Sequence, residues 1–83
     1  MNDLVSLTEK IVKSLVLDED GVSVKEFPSE EENTMLIQVM VNENDIGRVI
    51  GKDGKTANAI RTLVQASSAL QDNKYIKIDI DKF

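Results

Sequence analysis

The most informative segment of the chain runs from Ile46 to Arg61 and reads IGRVIGKDGKTANAIR. A short apolar segment leads into the tetrapeptide Gly51-Lys52-Asp53-Gly54, and a strong helical pattern follows it. Glycine has no Cβ, so two glycines at this spacing let another chain approach the backbone closely. Lysines within and after the tetrapeptide are placed to meet a phosphate group. The segment therefore predicts either an anion-binding loop or a tight turn between two helices.

The positive charge of the chain is concentrated around this glycine loop, by which we mean residues 51–54. The chain has 83 residues, of which 10 are basic and 15 acidic, and its net charge is −5. Residues 46–61 contain four of the basic residues and one of the acidic ones, a local charge of +3. The remainder contains six basic and fourteen acidic residues, a charge of −8. The acidic remainder therefore discourages loose binding of polyanions elsewhere on the chain.

The composition predicts one small domain without catalytic chemistry. A chain of 83 residues has the size of one domain, and we expect residues 1–83 to form it. Neither cysteine nor histidine is present, which removes the thiol nucleophile and the commonest general base and metal ligands. We therefore expect no enzyme activity, no metal and no cofactor. The start of the chain lacks the basic region of a signal peptide, and no apolar run reaches about 18 residues, which predicts a cytoplasmic protein that does not enter a membrane.

The hydrophobic pattern predicts the element order α-β-β-α-α-β. The expected elements are a helix from about Asp3 to Leu17 capped by Asn2 or Asp3, strands over 22–27 and 34–41, a short helix over 45–50, a long helix over 55–70, and a strand over 75–81. Gly21 is expected to end the first helix with a positive φ. The sum is an α+β fold of two layers, with helices covering one face of a three-stranded sheet.

Periodicity within these elements predicts which side chains face the core. One face of the second strand carries Met35, Ile37, Val39 and Val41, and the other carries Thr34, Leu36, Gln38 and Met40. The second face is either ordinary packing or one wall of a binding groove. The expected core residues of the long helix are Ile60, Leu63, Val64 and Ala66 or Ala69. In the last strand we expect Ile76, Ile78 and Ile80 inward and Lys77, Asp79 and Asp81 outward.

Two other phosphate-binding motifs are excluded by single positions. The end of the loop, Gly54-Lys55-Thr56, matches the end of a P-loop, but that motif needs glycine at the position of Val49. A P-loop also follows a buried strand, and here a short helix precedes the loop. The dinucleotide fingerprint Gly-x-Gly-x-x-Gly does not match this segment either, because Arg48 and Val49 separate the residues that would need to match. On the tetrapeptide alone, a helix-turn-helix connection that needs glycine at its bend stays open.

The complete segment from Gly47 to Arg61 resembles the signature of KH domains, in which Val-Ile-Gly-x-x-Gly leads into a helix. In that family a glycine loop between two helices, backed by a sheet, clamps four nucleotides of single-stranded nucleic acid. The element order is similar to the type II arrangement found in bacterial proteins. The length is similar to that of small bacterial proteins that consist of one KH domain. RRM and OB surfaces fit less well, because the chain has only three aromatic residues for a stacking platform.

The resemblance implies a site for single-stranded RNA at the loop. Its expected residues are Arg48, Ile50, Gly51, Lys52, Asp53, Gly54, Lys55 and Arg61. The glycines would let the sugar-phosphate backbone lie against the loop, the lysines would supply charge and the arginines would extend it. Ile50 and the aliphatic side chains of the second strand would form a groove for bases. Asp53 departs from the pattern, since a carboxylate repels phosphate and offsets Lys52.

The resemblance also implies a function and partners. Small single-KH bacterial proteins act as RNA chaperones or post-transcriptional regulators linked to cell shape, division and wall synthesis, and they pair with themselves or with a second KH protein. Small residues on the long helix, at Ala57, Ala59, Ala66 and Ala69, are expected to allow a close symmetric contact. The alternative is a protein-interaction adaptor with a KH fold and little RNA binding, which the net charge and Asp53 favour.

Overall fold

The structure is a computed structural model that describes residues 4–71 and 73–83. Its helices are α1 (Leu4–Lys13), α2 (Ile46–Ile50) and α3 (Lys55–Leu70), and its strands are β1 (Ser23–Phe27), β2 (Thr34–Val41) and β3 (Tyr75–Lys82). Single 3₁₀ turns cover Glu19–Gly21, Glu43–Asp45 and Lys52–Gly54. The order α-β-β-α-α-β and the α+β class are the predicted ones, and both are confirmed. Among the described helices, none combines the length and apolarity needed to span a membrane.

The three strands form one mixed sheet in the order β1-β2-β3. β1 and β2 pair antiparallel, with Phe27 opposite Leu36, because the short connection 28–33 turns the chain straight back. β2 and β3 pair parallel, with Ile37 opposite Ile78. Parallel pairing needs a crossover, which α2 and α3 supply. β2 is therefore the central strand with both edges hydrogen-bonded, and the outer edge of β3 lies beside the crossover helices.

The helices pack against one face of this sheet. The buried apolar residues are Leu4, Val12, Val24, Ile37, Val39, Val41, Val49, Ala57, Ile60, Val64, Ile76 and Ile78. The strand residues among them lie on one side of the sheet, so the predicted inward faces of β2 and β3 are confirmed. In the part of the chain that the structure describes, no helix covers the opposite face: Leu36, Gln38 and Met40 are half-buried, and Lys77 and Asp79 are exposed.

The buried face of α3 is narrower than predicted. Its buried residues are Ala57, Ile60, Val64 and Ser68. The prediction was wrong for Leu63, which is 55% exposed, and for Ala66 and Ala69, which do not reach the buried face. Successive residues of a helix are rotated by about 100°, so a face centred between Ile60 and Val64 turns Ala66 almost directly away from the sheet.

A serine occupies the last core position of α3. The Ser68 hydroxyl donates to the carbonyl of Lys74 at 2.8 Å and accepts the N–H of Lys74 at 3.1 Å. Burial of this hydroxyl is tolerated because both of its hydrogen-bonding capacities are used. The serine thereby fixes the connection that leads from α3 into β3. The polar residues Gln71-Asp72-Asn73 also predict a turn between α3 and β3, and Asp72 lies outside the described residues.

α1 ends at Lys13, four residues earlier than predicted. The N–H groups of Ser14 and Leu15 bond three residues back, to the carbonyls of Ile11 at 3.2 Å and Val12 at 3.0 Å, which tightens the last turn. The following backbone donors then bind a carboxylate elsewhere in the fold, so the chain leaves the helical path. The predicted start at Asp3 and the cap at Asn2 or Asp3 lie outside the described residues.

Gly21 does not adopt the predicted positive φ. It lies in a 3₁₀ turn, where a Cβ would come within 2.7 Å of Asn42 Nδ2 and 2.9 Å of Asp18 Oδ2. The Asn42 amide donates to that Asp18 oxygen at 2.5 Å. Glycine is therefore required by the close approach of two hydrogen-bonded side chains, and not by its own backbone angle.

Candidate nucleic-acid interface

The glycine loop is a fixed turn between α2 and α3. The N–H of Gly51 donates to the carbonyl of Gly47 at 2.9 Å and ends α2. The N–H of Gly54 donates to the carbonyl of Gly51 at 3.2 Å, and α3 begins at the next residue. Gly51, Asp53 and Gly54 all have positive φ, at 76°, 56° and 75°. The turn reverses the chain within four residues and presents its backbone to solvent between the two helices.

The two glycines are required for different reasons. A Cβ at Gly51 would come within 2.7 Å of Thr56 Cβ and 2.9 Å of the Thr56 backbone nitrogen. Gly51 also has ψ 175°, a combination with φ 76° that only glycine adopts readily. A Cβ at Gly54 would meet no atom within 4 Å. Gly51 is therefore packed against the start of α3, whereas the space in front of Gly54 is open to an approaching ligand.

The backbone conformation of the loop accounts for the aspartate at position 53. Its φ of 56° and ψ of 26° lie in the left-handed region, which aspartate and asparagine tolerate better than other residues with a Cβ. Its side chain is exposed beside that of Lys52. The turn thus accounts for the acidic residue that departs from the expected charge pattern, and the carboxylate still opposes a phosphate at the loop.

The two lysines are free to meet an anion. Lys52 and Lys55 are exposed, and neither has a salt-bridge partner in residues 4–71 and 73–83. No side chain in this part of the chain caps the start of α3, so N–H groups of its first turn also point toward the loop. Over the same ranges, no cluster of three or more acidic residues could hold a metal ion. The loop therefore combines two unpaired cations with backbone donors.

Arg48 is held by a buried carboxylate. Its Nε lies 3.6 Å from Oδ1 of Asp45, which is 2% exposed. Oδ1 also accepts the N–H of Leu17 at 3.1 Å, and Oδ2 accepts the N–H of Asp18 at 3.2 Å. One carboxylate thus ties the segment after α1 to the helix that leads into the loop. Arg48 is half-exposed and contributes to the positive electrostatic potential at the loop from its position beside Asp45.

Arg61 lies apart from the loop, across the outer edge of β3. Its Nε donates to the carbonyl of Ile78 at 3.3 Å, and its Nη1 donates to Asn58 Oδ1 at 3.2 Å. Six residues along α3 separate Arg61 from Lys55 by about 9 Å along the helix axis. The structure therefore brings seven of the eight predicted site residues together around the loop and puts Arg61 on the adjoining strand edge.

The strand beside the loop helices is β3, which corrects the groove expected from the second strand. Gln65 Oε1 accepts the N–H of Ile76 at 2.9 Å. On the outer edge of β3, Ile76 is the outward-facing backbone position next to Ile78, to which Arg61 donates. α3 and β3 therefore run antiparallel, and Ile80 is the next outward-facing backbone position toward the loop. In the described part of the chain, no side chain bonds to the backbone of Ile80. Ile50, half-buried at the end of α2, and this open edge flank the loop.

Sequence reasoning missed the residues that position the site. Asp45 stands in a run of capping residues, yet it caps no helix and binds backbone groups 28 and 27 positions away. Gln65 and Asn58 read as solvent-facing helix residues, but they fix the β3 edge and Arg61. No local pattern signals such bonds, because their partners are brought together only by the packing of α3 on the sheet.

Two helices joined by a Gly-x-x-Gly turn and packed on a three-stranded mixed sheet define a KH domain of type II. The family described as KhpA/KhpB, KH domain, matches residues 5–80. The RNA-binding protein KhpA of Clostridium perfringens is 42% identical over 74 residues, which cover 89% of this chain and 95% of the relative. KhpA of Thermotoga maritima is 39% identical, covering 89% and 93%, and KhpA of Borreliella burgdorferi is 38% identical, covering 92% and 89%. The chain belongs to the KhpA/KhpB KH-domain family.

Solved structures share the fold at low sequence identity. A point variant of Aquifex aeolicus Era bound to GDP and AlF4− superposes with a TM-score of 0.71 and 18% identity, over 96% of this chain and 30% of that one. Era in complex with MgGDPNP and nucleotides 1506–1542 of 16S ribosomal RNA gives 0.67 and 17%, over 95% and 29%. This chain thus spans less than a third of each Era chain, and the likeness concerns the fold alone.

Proposed function

We propose that this protein is a cytoplasmic, single-stranded RNA-binding protein of the KH type that catalyses no reaction, with residues 1–83 as one KH domain. The observation that carries the proposal is the loop between α2 and α3. It has open space in front of Gly54 and two lysines that form no salt bridge with any described residue, in a chain that is acidic elsewhere. The relatives named RNA-binding protein KhpA support the same conclusion.

The loop binds the sugar-phosphate backbone. Because Gly54 has no Cβ, a phosphate can approach the peptide plane and the N–H groups at the start of α3. Lys52 and Lys55 neutralise its charge, and Arg48 adds to the field from its position on Asp45. Asp53 reduces the attraction. The loop thus binds phosphate through backbone approach and charge, neither of which depends on base sequence.

The bases lie between Ile50 and the outer edge of β3. Ile50 offers an aliphatic surface, and the backbone N–H and C=O of Ile80 offer a donor and an acceptor to a base edge. Arg61 closes the groove at Ile78. A groove of this kind holds about four nucleotides, as KH domains do. With about two to four phosphate contacts, the logarithm of affinity falls against the logarithm of salt with a slope of about −1.5 to −3.

A single domain that makes so few phosphate contacts binds RNA weakly. Tight or selective RNA binding therefore requires more than one such domain. We therefore propose that the protein acts as a homodimer or with a KhpB-type KH protein, as an RNA chaperone or post-transcriptional regulator of cell shape, division and wall synthesis. The outward face of α3 carries Ala59, Leu63, Ala66 and Leu70 at four- and three-residue spacing, and none of them is buried. We propose this stripe as the contact surface in place of the set of alanines predicted from the sequence, because Ala57 of that set is buried against the sheet.

A second copy of this chain is the occupant that the stripe fits. Alanine and leucine alternate along this stripe. An identical helix can therefore cross it closely, with each leucine packed over an alanine of the other copy. Leu63 and Leu70 are 55% and 89% exposed, unusually high for leucines on the face of a packed helix. The stripe faces away from the sheet, so a partner there leaves the loop open.

The RNA-binding proposal is tested with Lys52→Asp and a matched charge change, Lys25→Asp. Lys25 is exposed on β1, at the opposite side of the sheet from the loop. We expect Lys52→Asp to lower the affinity for a single-stranded RNA of about eight nucleotides at least about tenfold at low salt. Lys25→Asp should lower it by less than about threefold, and both melting temperatures should stay close to that of the parent. A parent that binds no RNA at low salt would instead establish the adaptor function.

The homodimer is tested by sedimentation of the parent, Leu63→Asp and Leu17→Asp. Leu17 is also strongly exposed but lies after α1, away from the stripe. We expect the parent to be dimeric at tens of micromolar, Leu63→Asp to be monomeric and Leu17→Asp to remain dimeric. A monomeric parent at that concentration would refute self-pairing and leave a KhpB-type protein as the partner to test.

A further inference from the structure

The sheet face that no described helix covers carries side chains from all three strands in regular rows. The pairing register sets these residues side by side, and strand alternation turns them to the same face. We call this surface the open sheet face, and its rows are Ser23-Met40-Asp81, Lys25-Gln38-Asp79 and Phe27-Leu36-Lys77. The residues that alternate with these rows, among them Val24, Ile37 and Ile78, are buried under the helices.

Apolar side chains of the open sheet face are in contact with solvent. Phe27 is 40% exposed, and Tyr75, which alternation places on the same face at the start of β3, is 58% exposed. A hollow of about 240 Å³ lies within the face and is lined by Phe27, Leu36, Gln38 and Asp79. Single exposed apolar residues are common, but apolar surface that continues across three strands indicates an interaction site.

The charges of the open sheet face are divided between its two edges. Lys25 lies on β1, and Asp79 and Asp81 lie on β3. The other cation of the face, Lys77, is already paired with Glu31 at 2.8 Å. Neither Lys25 nor Asp79 forms a salt bridge within residues 4–71 and 73–83. The face therefore has a basic edge and an acidic edge with unpaired charges in one row.

This division of charge is complementary to an identical face. A two-fold axis along β2 lays β1 of each copy over β3 of the other and keeps every row at the same height. Lys25 of one copy then faces Asp79 of the other, and the symmetry makes this contact twice. Packed sheets lie about 10 Å apart, a gap that a lysine and an aspartate together can span. An axis across the strands would instead lay β1 over β1 and bring like charges together.

We propose that a second copy of this chain packs on the open sheet face, with β1 over β3 and with Lys25 paired to Asp79. The charges set the orientation, and the apolar side chains supply most of the affinity. The inference does not depend on the proposed RNA binding or on the proposed contact through α3, which uses the other side of the molecule.

The size of the face sets the expected strength of this pairing. Its strands have 5, 8 and 8 residues, and an interface of three short strands lies at the small end for protein contacts. We therefore expect a dissociation constant of about 1 mM or somewhat below. A chain with self-pairing surfaces on two opposite sides forms assemblies larger than a dimer, in which several loops can engage one long RNA.

The test uses Leu63→Asp as its starting protein, so that the proposed contact through α3 is absent. Sedimentation equilibrium without RNA covers protein concentrations from about 50 µM to about 2 mM. We expect a monomer at the lower end and a growing fraction of dimer at the upper end. The parent, which has both surfaces, should exceed the mass of a dimer at about 2 mM.

Charge exchange tests the orientation. In the Leu63→Asp protein, Lys25→Asp and Asp79→Lys should each weaken pairing at least about tenfold, because each brings like charges together at two places. The two changes combined should restore the pairing. Glu26→Lys is the matched control, since Glu26 is exposed on β1 but alternation turns it to the helix side. Thermal unfolding verifies that every variant is folded.

Each outcome bears on the inference. A Leu63→Asp protein that remains monomeric at about 2 mM overturns it, and so does a combined variant that pairs as weakly as the single ones. If Lys25→Asp and Asp79→Lys alter RNA affinity but not the sedimenting mass, the face contacts RNA and the inference is also overturned. A parent that binds no RNA would refute the proposed function and leave these sedimentation results unchanged.

Discussion

Gly51 and Thr56 are packed against each other so closely that a Cβ on Gly51 would lie 2.7 Å from Thr56 Cβ. This contact joins the end of α2 to the first turn of α3 across the glycine loop. The contact leaves no room for a side chain at Gly51. Gly54, three residues on, has no such neighbour, so the loop is closed on one side and open on the other.

Gly51→Ala is expected to destabilise the protein by about 2–4 kcal/mol, because it combines a steric clash with a backbone conformation reserved for glycine. Gly47→Ala is the matched control. Gly47 lies within α2 and a Cβ there would meet no atom within 4 Å, so alanine should stabilise the helix by about 0.5–1 kcal/mol. Urea unfolding followed by circular dichroism measures both. Equal effects of the two substitutions would contradict the contact with Thr56.

Asp53→Asn is expected to raise RNA affinity about threefold at low salt. Asparagine keeps the left-handed conformation at this position, and the substitution removes the only acidic side chain of the loop. Asp20→Asn makes the same charge change on the exposed turn before β1 and should leave affinity within experimental error. Fluorescence anisotropy with labelled RNA measures the change. An affinity that does not rise would mean that the carboxylate points away from the bound phosphate.

Asp45→Ala is expected to destabilise the fold by about 2–4 kcal/mol, since it removes the acceptor of two backbone N–H groups and the partner of Arg48. Glu43→Gln is the control, because Glu43 is exposed and its bond to Lys82 is a surface ion pair. Hydrogen exchange at Leu17 and Asp18 provides a local readout. Unchanged protection of these two amides in Asp45→Ala would show that they do not depend on the carboxylate.

Ser68→Ala is expected to cost about 1–3 kcal/mol, because the N–H of Lys74 loses its acceptor at a partly buried turn and the carbonyl of Lys74 keeps only the bond from Gln65 Nε2. Its neighbour Ser67 has no such role, and Ser67→Ala should change the free energy of unfolding by less than about 0.5 kcal/mol. Thermal unfolding compares the two variants. A smaller loss for Ser68→Ala than for Ser67→Ala would show that the turn into β3 does not need this hydroxyl.

The pH dependence of one exposed pair follows from its geometry. Lys77 Nζ donates to Glu31 Oε1 at 2.8 Å, and this hydrogen bond, with the attraction between the charges, raises the pKa of Lys77. A raised pKa means that the stabilisation is fully present below the ordinary lysine value and is lost as pH rises through the folded value. NMR titration of the Lys77 side chain measures the shift. Glu31→Gln should return the pKa to the ordinary range.

Local patterns predicted most of the fold. The bounds of β2 and α3 followed from periodicity together with the glycine loop and the polar connections that flank them. The inward faces of β2 and β3 followed from periodicity, because burial on one side of a strand repeats at a fixed spacing. The end of α1 and the exposure of Leu63 did not. The first depends on the carboxylate of Asp45, and the second on the angle at which α3 lies over the sheet.

The candidate site also combines features that local sequence predicts with features that depend on tertiary packing. The glycine loop, the conformational tolerance of its residues and the concentration of positive charge around it are properties of the local sequence, since they depend on neighbours in the chain. The packing of distant segments alone places β3, and not β2, beside α2 and α3, and brings Arg61 across the β3 edge. These features arise where the parallel pairing of β2 and β3 carries α3 across the sheet, and such contacts between distant residues leave no periodic trace in the sequence.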